Sequence, residues 1–160
     1  TASVEPGAVV DVAFHPQVNE FRGERSPQMN VLDIRPSCGA DCPADTAGYW
    51  QLRSGNISAE DAELLLPSRA TLGTIWRYLA GSAAPIQEDP MCLCRKIVRR
   101  SGSPLSLGQM LTCLDIFQDV GLLQVRRMHK YICIHLTPGA EKADLSASNT
   151  MQILLQAKES

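Results

Sequence analysis

Long hydrophobic runs and aromatic residues are both scarce in this chain of 160 residues. No stretch approaches the roughly 18 consecutive apolar residues of a membrane-spanning helix, so the sequence predicts none. Aromatic residues make up 5% of the chain, whereas apolar residues of all kinds make up 44%. That apolar share is high enough for a packed core, which excludes a wholly disordered chain.

The chain also lacks an initiator methionine, because Thr1 comes first, and no charged-then-apolar leader follows it. We therefore expect a fragment or a processed piece of a longer protein. Its length suits one ordinary domain or two very small ones.

No two cysteines have CxxC spacing. Cys38 and Cys42 lie in a loop-like stretch, and Cys92 and Cys94 lie in a predicted helix, where residues two apart point to different sides. Both a metal site and buried free thiols are open interpretations. We favour free thiols in a reducing cytoplasm and predict no metal site. The six cysteines are Cys38, Cys42, Cys92, Cys94, Cys113 and Cys133.

Charge is unevenly spread along the chain, although the formal net charge is only −2. Residues 1–67 carry four arginines against ten acidic residues, whereas residues 68–135 carry nine Lys and Arg against four acidic residues. This asymmetry indicates two units, with any nucleic-acid contact in the second. A solvated basic face is the alternative interpretation.

Alternating apolar residues in the first part predict two antiparallel strands over 8–15 and 27–35. The connection between them, from Pro16 to Pro27, contains Asn19 and Gly23, which favour tight turns. Because an isolated hairpin is marginal in water, we expect these strands to belong to a larger sheet, to be held by the second unit or to pair with another chain. Residues 37–57 are predicted to form a linker or loop.

Helical spacing of apolar residues begins at about residue 58. Ser58, Ser68 and Ser106 are suitable N-caps, and Pro90 suits a first helical turn. Each is followed by apolar residues at helical spacing. Ser146 is predicted to open a last amphipathic helix.

Two alternating runs, 123–127 and 131–135, predict strands around a turn at 128–130. Helices followed by such a strand pair are typical of a winged-helix domain, in which the third helix commonly enters a DNA groove. Here that helix carries only Asp115 and Asp119 as charges, and base contacts depend on Arg and Lys. Winged helices also serve as protein-interaction modules. The predicted fold class is α+β, a β-hairpin over 1–36 followed by a winged-helix-like domain over 58–160 with a β-wing.

The candidate binding surface combines the basic residues of the helix that starts at Pro90 with those of the wing. On the helix they form two i,i+4 pairs of like charge, which cost about a few tenths of a kcal/mol each and therefore hint at an anionic partner. The candidate nucleic-acid-binding residues are Arg95, Lys96, Arg99, Arg100, Arg126, Arg127 and Lys130.

Two parts of the chain resemble one family. Residues 9–37 are similar to the closing strands of the OB-type domain of RecJ, a single-stranded-DNA-specific exonuclease of the DHH phosphoesterase superfamily. The similarity lies in Asp11 to Phe14, Asn19 to Gly23 and Gln28 to Arg35. Downstream, the segments 67–79, 114–122 and 142–148 resemble, in the same order, a C-terminal extension of RecJ proteins from some Gram-positive lineages.

The resemblance implies a cytoplasmic 5′-to-3′ exonuclease of DNA repair and recombination as the parent protein. Its chemistry depends on Asp and His clusters, including Asp-His-His, that bind Mg²⁺ or Mn²⁺ and activate water. Asp-His-His does not occur here, and His15, His129 and His135 are far apart in the sequence. We therefore predict a fragment with no catalytic residue and no cofactor of its own.

Three roles are open for the second unit. It holds single- or double-stranded DNA near the nuclease through phosphate contacts. Alternatively it docks a partner protein, such as a single-strand-binding protein or a helicase, whose acidic tail meets the basic residues. In the third role it braces the OB-type domain.

Overall fold

The computed structural model describes residues 10–36, 45–82, 85–140 and 142–160. The chain divides into two units, Thr1–Gly39 and Ala40–Ser160, which we call the hairpin unit and the helical unit. Within the described residues the fold is mixed α+β, with a two-stranded hairpin, six α-helices and a three-stranded sheet. The predicted mixed class is therefore correct. Cys38, Cys42 and the first part of the predicted linker lie outside the described residues.

The hairpin unit consists of strand β1 (Val10–Phe21) and strand β2 (Glu24–Pro36), which pair antiparallel along their whole length. Arg22 and Gly23 form the turn with φ values of 51° and 81°, the left-handed geometry that matches the twist of a two-residue hairpin loop. The prediction of two strands is confirmed, but the long connection over 16–27 is wrong. Of the two residues that predicted a turn, only Gly23 lies in it, and Asn19 is part of β1. Pro16 and Pro27 lie within the strands, because in a two-stranded ribbon each strand has a free edge that tolerates a missing N–H.

One face of the hairpin is apolar along most of its length and ends near the turn in the ion pair of Glu20 and Arg25. The alternation on β1 places Val12, Phe14 and Val18 on the face that Met29 and Ile34 share from β2. A register shift between Ala13 and Phe14 keeps the apolar residues of both strands on that face. All five side chains are exposed.

The helical unit begins with three helices, which are followed by a short strand, two helices, two strands and a last helix. Their bounds are α1 Ala47–Ser54, α2 Ala59–Leu65, α3 Arg69–Ala80, β3 Ile86–Glu88, α4 Pro90–Ser101, α5 Leu107–Asp119, β4 Leu123–Arg127, β5 Ile132–Leu136 and α6 Asn149–Glu159. A short 3₁₀ turn, Leu145–Ala147, precedes α6.

The predicted N-caps account for three helix starts. The hydroxyls of Ser58, Ser68 and Ser106 each accept a hydrogen bond from the backbone N–H three residues on. At α4, Pro90 occupies the first turn as predicted, and the carboxylate of Asp89 is the cap. At α6 the prediction was two residues early, because Ser148 rather than Ser146 caps the helix.

Helix α1 lies inside the predicted linker. The assignment of 37–57 as linker is therefore wrong for residues 47–54, where Tyr49 and Leu52 are buried. The helix is short, and the side chain of its N-cap residue, Thr46, forms no capping hydrogen bond; its one clear signal is Gly55, which ends it in the left-handed conformation.

The three strands of the helical unit form an antiparallel sheet in the order β3-β5-β4. Strands β4 and β5 and the turn between them are as predicted, and we call them the wing. Strand β3 was not predicted, because three residues are too few to show a period of two.

Helix α5 is the centre of the core. Helices α1, α2, α3, α4 and α6 and strand β4 all pack on it. Met110, Cys113, Leu114, Ile116 and Phe117 are at most 1% exposed. The charged and amide side chains of α5 therefore lie only along its margins.

Candidate nucleic-acid interface

The seven predicted binding residues do not share one surface. Two of them, Arg95 and Lys96, lie in the middle of α4. Arg95 is half-buried. Lys96 reaches across to β3, where its Nζ lies 2.5 Å from Oε1 of Glu88. This hydrogen bond raises the pKa of Lys96 above its ordinary value. Lys96 is therefore engaged within the fold.

Arg99 and Arg100 are exposed in the last turn of α4. Cations in this position offset the partial negative charge at a helix C-terminus, which gives them a structural role without any ligand. Arg100 additionally faces α3 and lines a groove between the two helices. We call Arg99 and Arg100 the α4-end cluster.

Arg127 lies on the inner face of the wing, where its side chain is 32% exposed and belongs to a cluster of polar contacts. Its guanidinium donates to the hydroxyl of Tyr49, and Nη2 lies 3.5 Å from Oδ1 of Asp115. The Tyr49 hydroxyl in turn donates to Oδ2 of Asp115 at 2.7 Å and accepts from Nη1 of Arg53 at 3.2 Å. These contacts join α1, α5 and β4 through one phenol, so we call this set the Tyr49 cluster.

The surroundings of Tyr49 favour the protonated form of its phenol. Burial raises the pKa of the phenol, and the neighbouring carboxylate of Asp115 raises it further. Arg127 also lies over two aromatic rings, with its Cζ atom 5.2 Å from the centre of Tyr49 and 5.6 Å from that of Trp50. No local pattern predicts this cluster, because Asp115 and Arg127 lie 66 and 78 residues from Tyr49 in the sequence.

Arg126 and Lys130 are the exposed cations of the wing, and we call them the wing cluster. Neither forms an ion pair with any other described residue. Arg126 lies opposite Cys133 on the outer face of the sheet, whereas Arg127 lies opposite the buried Ile132 on the inner face. Strand alternation thus sends two neighbouring arginines to opposite sides.

The wing cluster and the α4-end cluster occupy different places. Glu88 pairs with Ile132 beside the wing turn, and α4 begins two residues later at Pro90. Arg99 follows nine residues further along a straight helix, a distance of about 14 Å at a rise of 1.5 Å per residue. The predicted set is therefore divided into the two clusters and three further residues: Arg95 is half-buried, and Lys96 and Arg127 form ion pairs within the helical unit.

The groove between α3 and α4 contains one basic residue, Arg77, that is not among the seven predicted binding residues. It has a volume of about 480 Å³ and is lined by Thr74, Arg77, Tyr78, Ile97, Arg100, Ser101 and Ser103. Arg77 was missed because it stands alone in the sequence. Its signal was positional, since Thr74, Arg77 and Tyr78 recur at the i, i+3, i+4 spacing of one helix face.

Histidine and cysteine do not gather into a metal-binding group in the described parts of the chain, where no three His, Cys, Asp or Glu residues come together. Cys133 Sγ and His135 Nδ1 are 3.8 Å apart on β5. Cys94 and Cys113 are buried free thiols, and Cys92 and Cys133 are half-buried free thiols. Burial raises the pKa of the Cys113 thiol.

Comparison of the chain with protein-family models, with curated protein sequences and with solved structures finds no match. Across the described residues, no helix combines the length and the apolar character needed to cross a membrane. The function must therefore be inferred from the placement of the chain's own side chains.

Proposed function

We propose that this chain is a non-catalytic region that holds nucleic acid by its phosphate backbone, without reading the base sequence. The observation that carries the proposal is that the exposed cations lie outside α5, the helix that would read bases. Helix α5 is buried and presents no Lys or Arg, whereas the α4-end cluster and the wing cluster expose four cations to solvent.

The order of elements supports a winged-helix interpretation of residues 69–136. Helix, strand, helix, helix and two strands follow one another, and the first strand pairs with the last. In a DNA-reading domain of this kind α5 would enter the groove. Here five other helices pack around it, so its base-reading position is covered. Wing and helix-end contacts to phosphate remain, and such contacts position a protein without specifying sequence.

The parent that we propose is a RecJ-type single-stranded-DNA exonuclease, whose catalytic metals, Mg²⁺ or Mn²⁺, bind elsewhere. The apolar face of the hairpin is what supports this parent, because the closing strands of an OB-type barrel need such a face toward the barrel interior. The same exposed face also favours a second candidate function, in which the region braces or docks another protein, such as a single-strand-binding protein or a helicase.

The test is the salt dependence of oligonucleotide binding by the parent chain and by the triple variant Arg99→Gln, Arg126→Gln, Lys130→Gln. Phosphate contacts release counterions, so each lost contact to a single strand lowers the slope of log K against log salt by about 0.7. We expect the triple variant to lose about 2 units of slope and to bind different base sequences with equal loss.

The matched control is the triple variant Arg69→Gln, Lys142→Gln, Lys158→Gln, which removes the same charge from exposed positions of the same unit. It should keep most of the slope. Equal losses in the two variants would mean that net charge alone governs binding, and absence of binding in the parent would favour the docking or bracing function.

A further inference from the structure

The groove between α3 and α4 is lined by arginine side chains and by no acidic residue. Two of its seven lining residues are arginines, one from each helix, and none of the seven carries a carboxylate. Arg77 donates from Nε to the carbonyl of Gly73 at 3.2 Å, which fixes the stem of the side chain and leaves both terminal NH₂ groups for a ligand.

We propose that this groove is a binding site for a phosphate monoester, with the phosphate held between Arg77 and Arg100. Guanidinium groups donate in a fork geometry that matches two oxygens of a phosphate, so two of them can engage one group from two sides. The site shares Arg100 with the α4-end cluster, but Arg99 and the wing residues Arg126 and Lys130 do not line it, so the two proposals can be tested separately.

Hydroxyl groups complete the donor set around the two arginines. Thr74 and Tyr78 come from α3, and Ser103 comes from the loop that follows α4. Burial and the nearby Glu88 raise the pKa of Tyr78, so its phenol stays protonated and can donate. Neutral donors of this kind satisfy the phosphate oxygens that the guanidinium groups leave free.

The charge count selects a monoester over a diester. A phosphate monoester carries a charge of about −1.5 to −2 at pH 7 because its second pKa is about 6. An internal phosphodiester of a nucleic-acid strand carries one negative charge. Two uncompensated guanidinium groups therefore match the monoester more closely.

The size of the groove indicates that the ligand is more than inorganic phosphate. Its volume of about 480 Å³ falls in the range of about 300–1,000 Å³ that is usual for small-molecule sites. Ile97 and the ring of Tyr78 supply apolar surface for an organic group. The shared chemistry is a terminal phosphate, carried either by a small metabolite or by the end of an oligonucleotide.

Helix-end compensation is the competing explanation, since Arg77 and Arg100 both lie in last helical turns. Arg99 offers the control, because it lies in the same last turn of α4 but does not line the groove. If the two arginines only offset the helix dipole, substitution of Arg99 and of Arg100 should have the same effect. If the groove binds phosphate, only the substitution of Arg100 should weaken binding.

The experiment is an NMR titration of the full chain with ribose 5-phosphate, inorganic phosphate and dimethyl phosphate, following the backbone amides of residues 74–78 and 100–103. We expect both monoester-type dianions to shift these amides with saturation, and dimethyl phosphate to bind at least about tenfold more weakly. Lowering the pH from 7.5 to 5.5 should weaken the binding of ribose 5-phosphate, because the ligand loses one negative charge.

Arg77→Gln and Arg100→Gln should each weaken ribose 5-phosphate at least about tenfold, while Arg99→Gln changes its Kd less than about twofold. Thermal unfolding of each variant shows whether it remains folded. Equal binding of dimethyl phosphate, or an equal loss in Arg99→Gln and Arg100→Gln, would overturn the site.

Two further arms separate the sources of the ligand and the two proposals. An oligonucleotide with a terminal phosphate is compared with the same strand without it. A gain that depends on Arg77 assigns the site to strand ends, and no gain assigns it to small metabolites. The triple variant Arg99→Gln, Arg126→Gln, Lys130→Gln should keep its affinity for ribose 5-phosphate, so loss of oligonucleotide binding and loss of the groove site are distinguishable.

Discussion

In the hairpin unit, apolar side chains such as Phe14 and Val18 share one face and stay 43% and 69% exposed, whereas in the helical unit Phe117 and Leu114 are at most 1% exposed. Within the described residues, every buried apolar side chain lies between Tyr49 and Leu154. A two-stranded ribbon can define an apolar face, but it has no second layer to cover that face. The helical unit supplies both layers itself, with five helices around α5.

The stability of the chain therefore comes from the buried apolar side chains of the helical unit, and the exposed apolar side chains of the hairpin add little to it. Burial of an apolar side chain contributes about 1.5–3 kcal/mol to the free energy of unfolding, and the helical unit buries many such side chains. The described part of the hairpin buries none. Changes to apolar residues should therefore affect unfolding strongly in one unit and hardly at all in the other.

The largest effect is expected at the centre of the helical unit. Phe117→Ala removes a fully buried ring that contacts the ring of Trp76 at 5.4 Å between centroids. We expect a loss of about 3–5 kcal/mol in the free energy of unfolding, measured by urea denaturation. Phe14→Ala on the hairpin is the matched control and should change that value by less than about 0.5 kcal/mol. Similar losses from both substitutions would show that the hairpin face is buried in solution.

The next largest effect is expected at the Tyr49 cluster. Tyr49→Phe keeps the buried ring but removes the hydroxyl that links Asp115 to two arginines, so we expect a loss of about 1–3 kcal/mol. Arg126→Gln, which changes an exposed neighbour of Arg127, should cost less than about 0.5 kcal/mol. A neutral Tyr49→Phe would mean that water replaces the hydroxyl without penalty.

The same substitution has a pH signature. Folding raises the pKa of Tyr49 above its ordinary value of 10.0, so its contribution to stability is fully present below pH 10 and is lost as the pH rises further. We therefore expect the parent to lose stability more steeply than Tyr49→Phe between pH 9 and 11. Parallel curves for the two proteins would contradict the assignment.

The helical unit could be predicted from its sequence to the extent that its signals are local. Ser58, Ser68 and Ser106 cap the starts of their helices by accepting hydrogen bonds from backbone N–H groups three residues on. Because these bonds are local, the spacing of residues in the sequence is enough to predict them. Helix α1 escaped prediction because its stability comes from Tyr49 and Leu52, which are buried against distant elements.

The binding surface was predictable only in part for the same reason. A charge count identifies Arg100 and Arg127 equally, since both are arginines in a basic stretch. Their difference depends on Asp115 and Tyr49, which fold against Arg127 from other elements. Likewise, Arg77 joins Arg100 only because α3 and α4 pack together.

An effect of similar size is expected at a close backbone approach in the helical unit. A Cβ atom added to Gly108 would lie 2.8 Å from the carbonyl oxygen of Asp45, which also accepts a hydrogen bond from the Gly108 N–H. Gly108→Ala must move the segment before α1 away from α5, at a cost of about 1–3 kcal/mol. Gly73→Ala in α3 is the control, because its Cβ meets nothing within 4 Å. That substitution should stabilise the unit by about 0.5–1 kcal/mol, and equal behaviour of the two variants would contradict the close approach.

The smallest effect is expected when the hairpin unit is removed. Because the described core lies wholly within the helical unit, residues 40–160 should unfold with the same free energy as the full chain, within about 0.5 kcal/mol. Urea denaturation followed by tryptophan fluorescence reports on this unit, since both tryptophans, Trp50 and Trp76, lie in it. Residues 1–39 alone should show no cooperative transition by circular dichroism, because an isolated hairpin is marginal in water. A shorter chain that is less stable by 2 kcal/mol or more would contradict the assignment of the whole unfolding free energy to the helical unit.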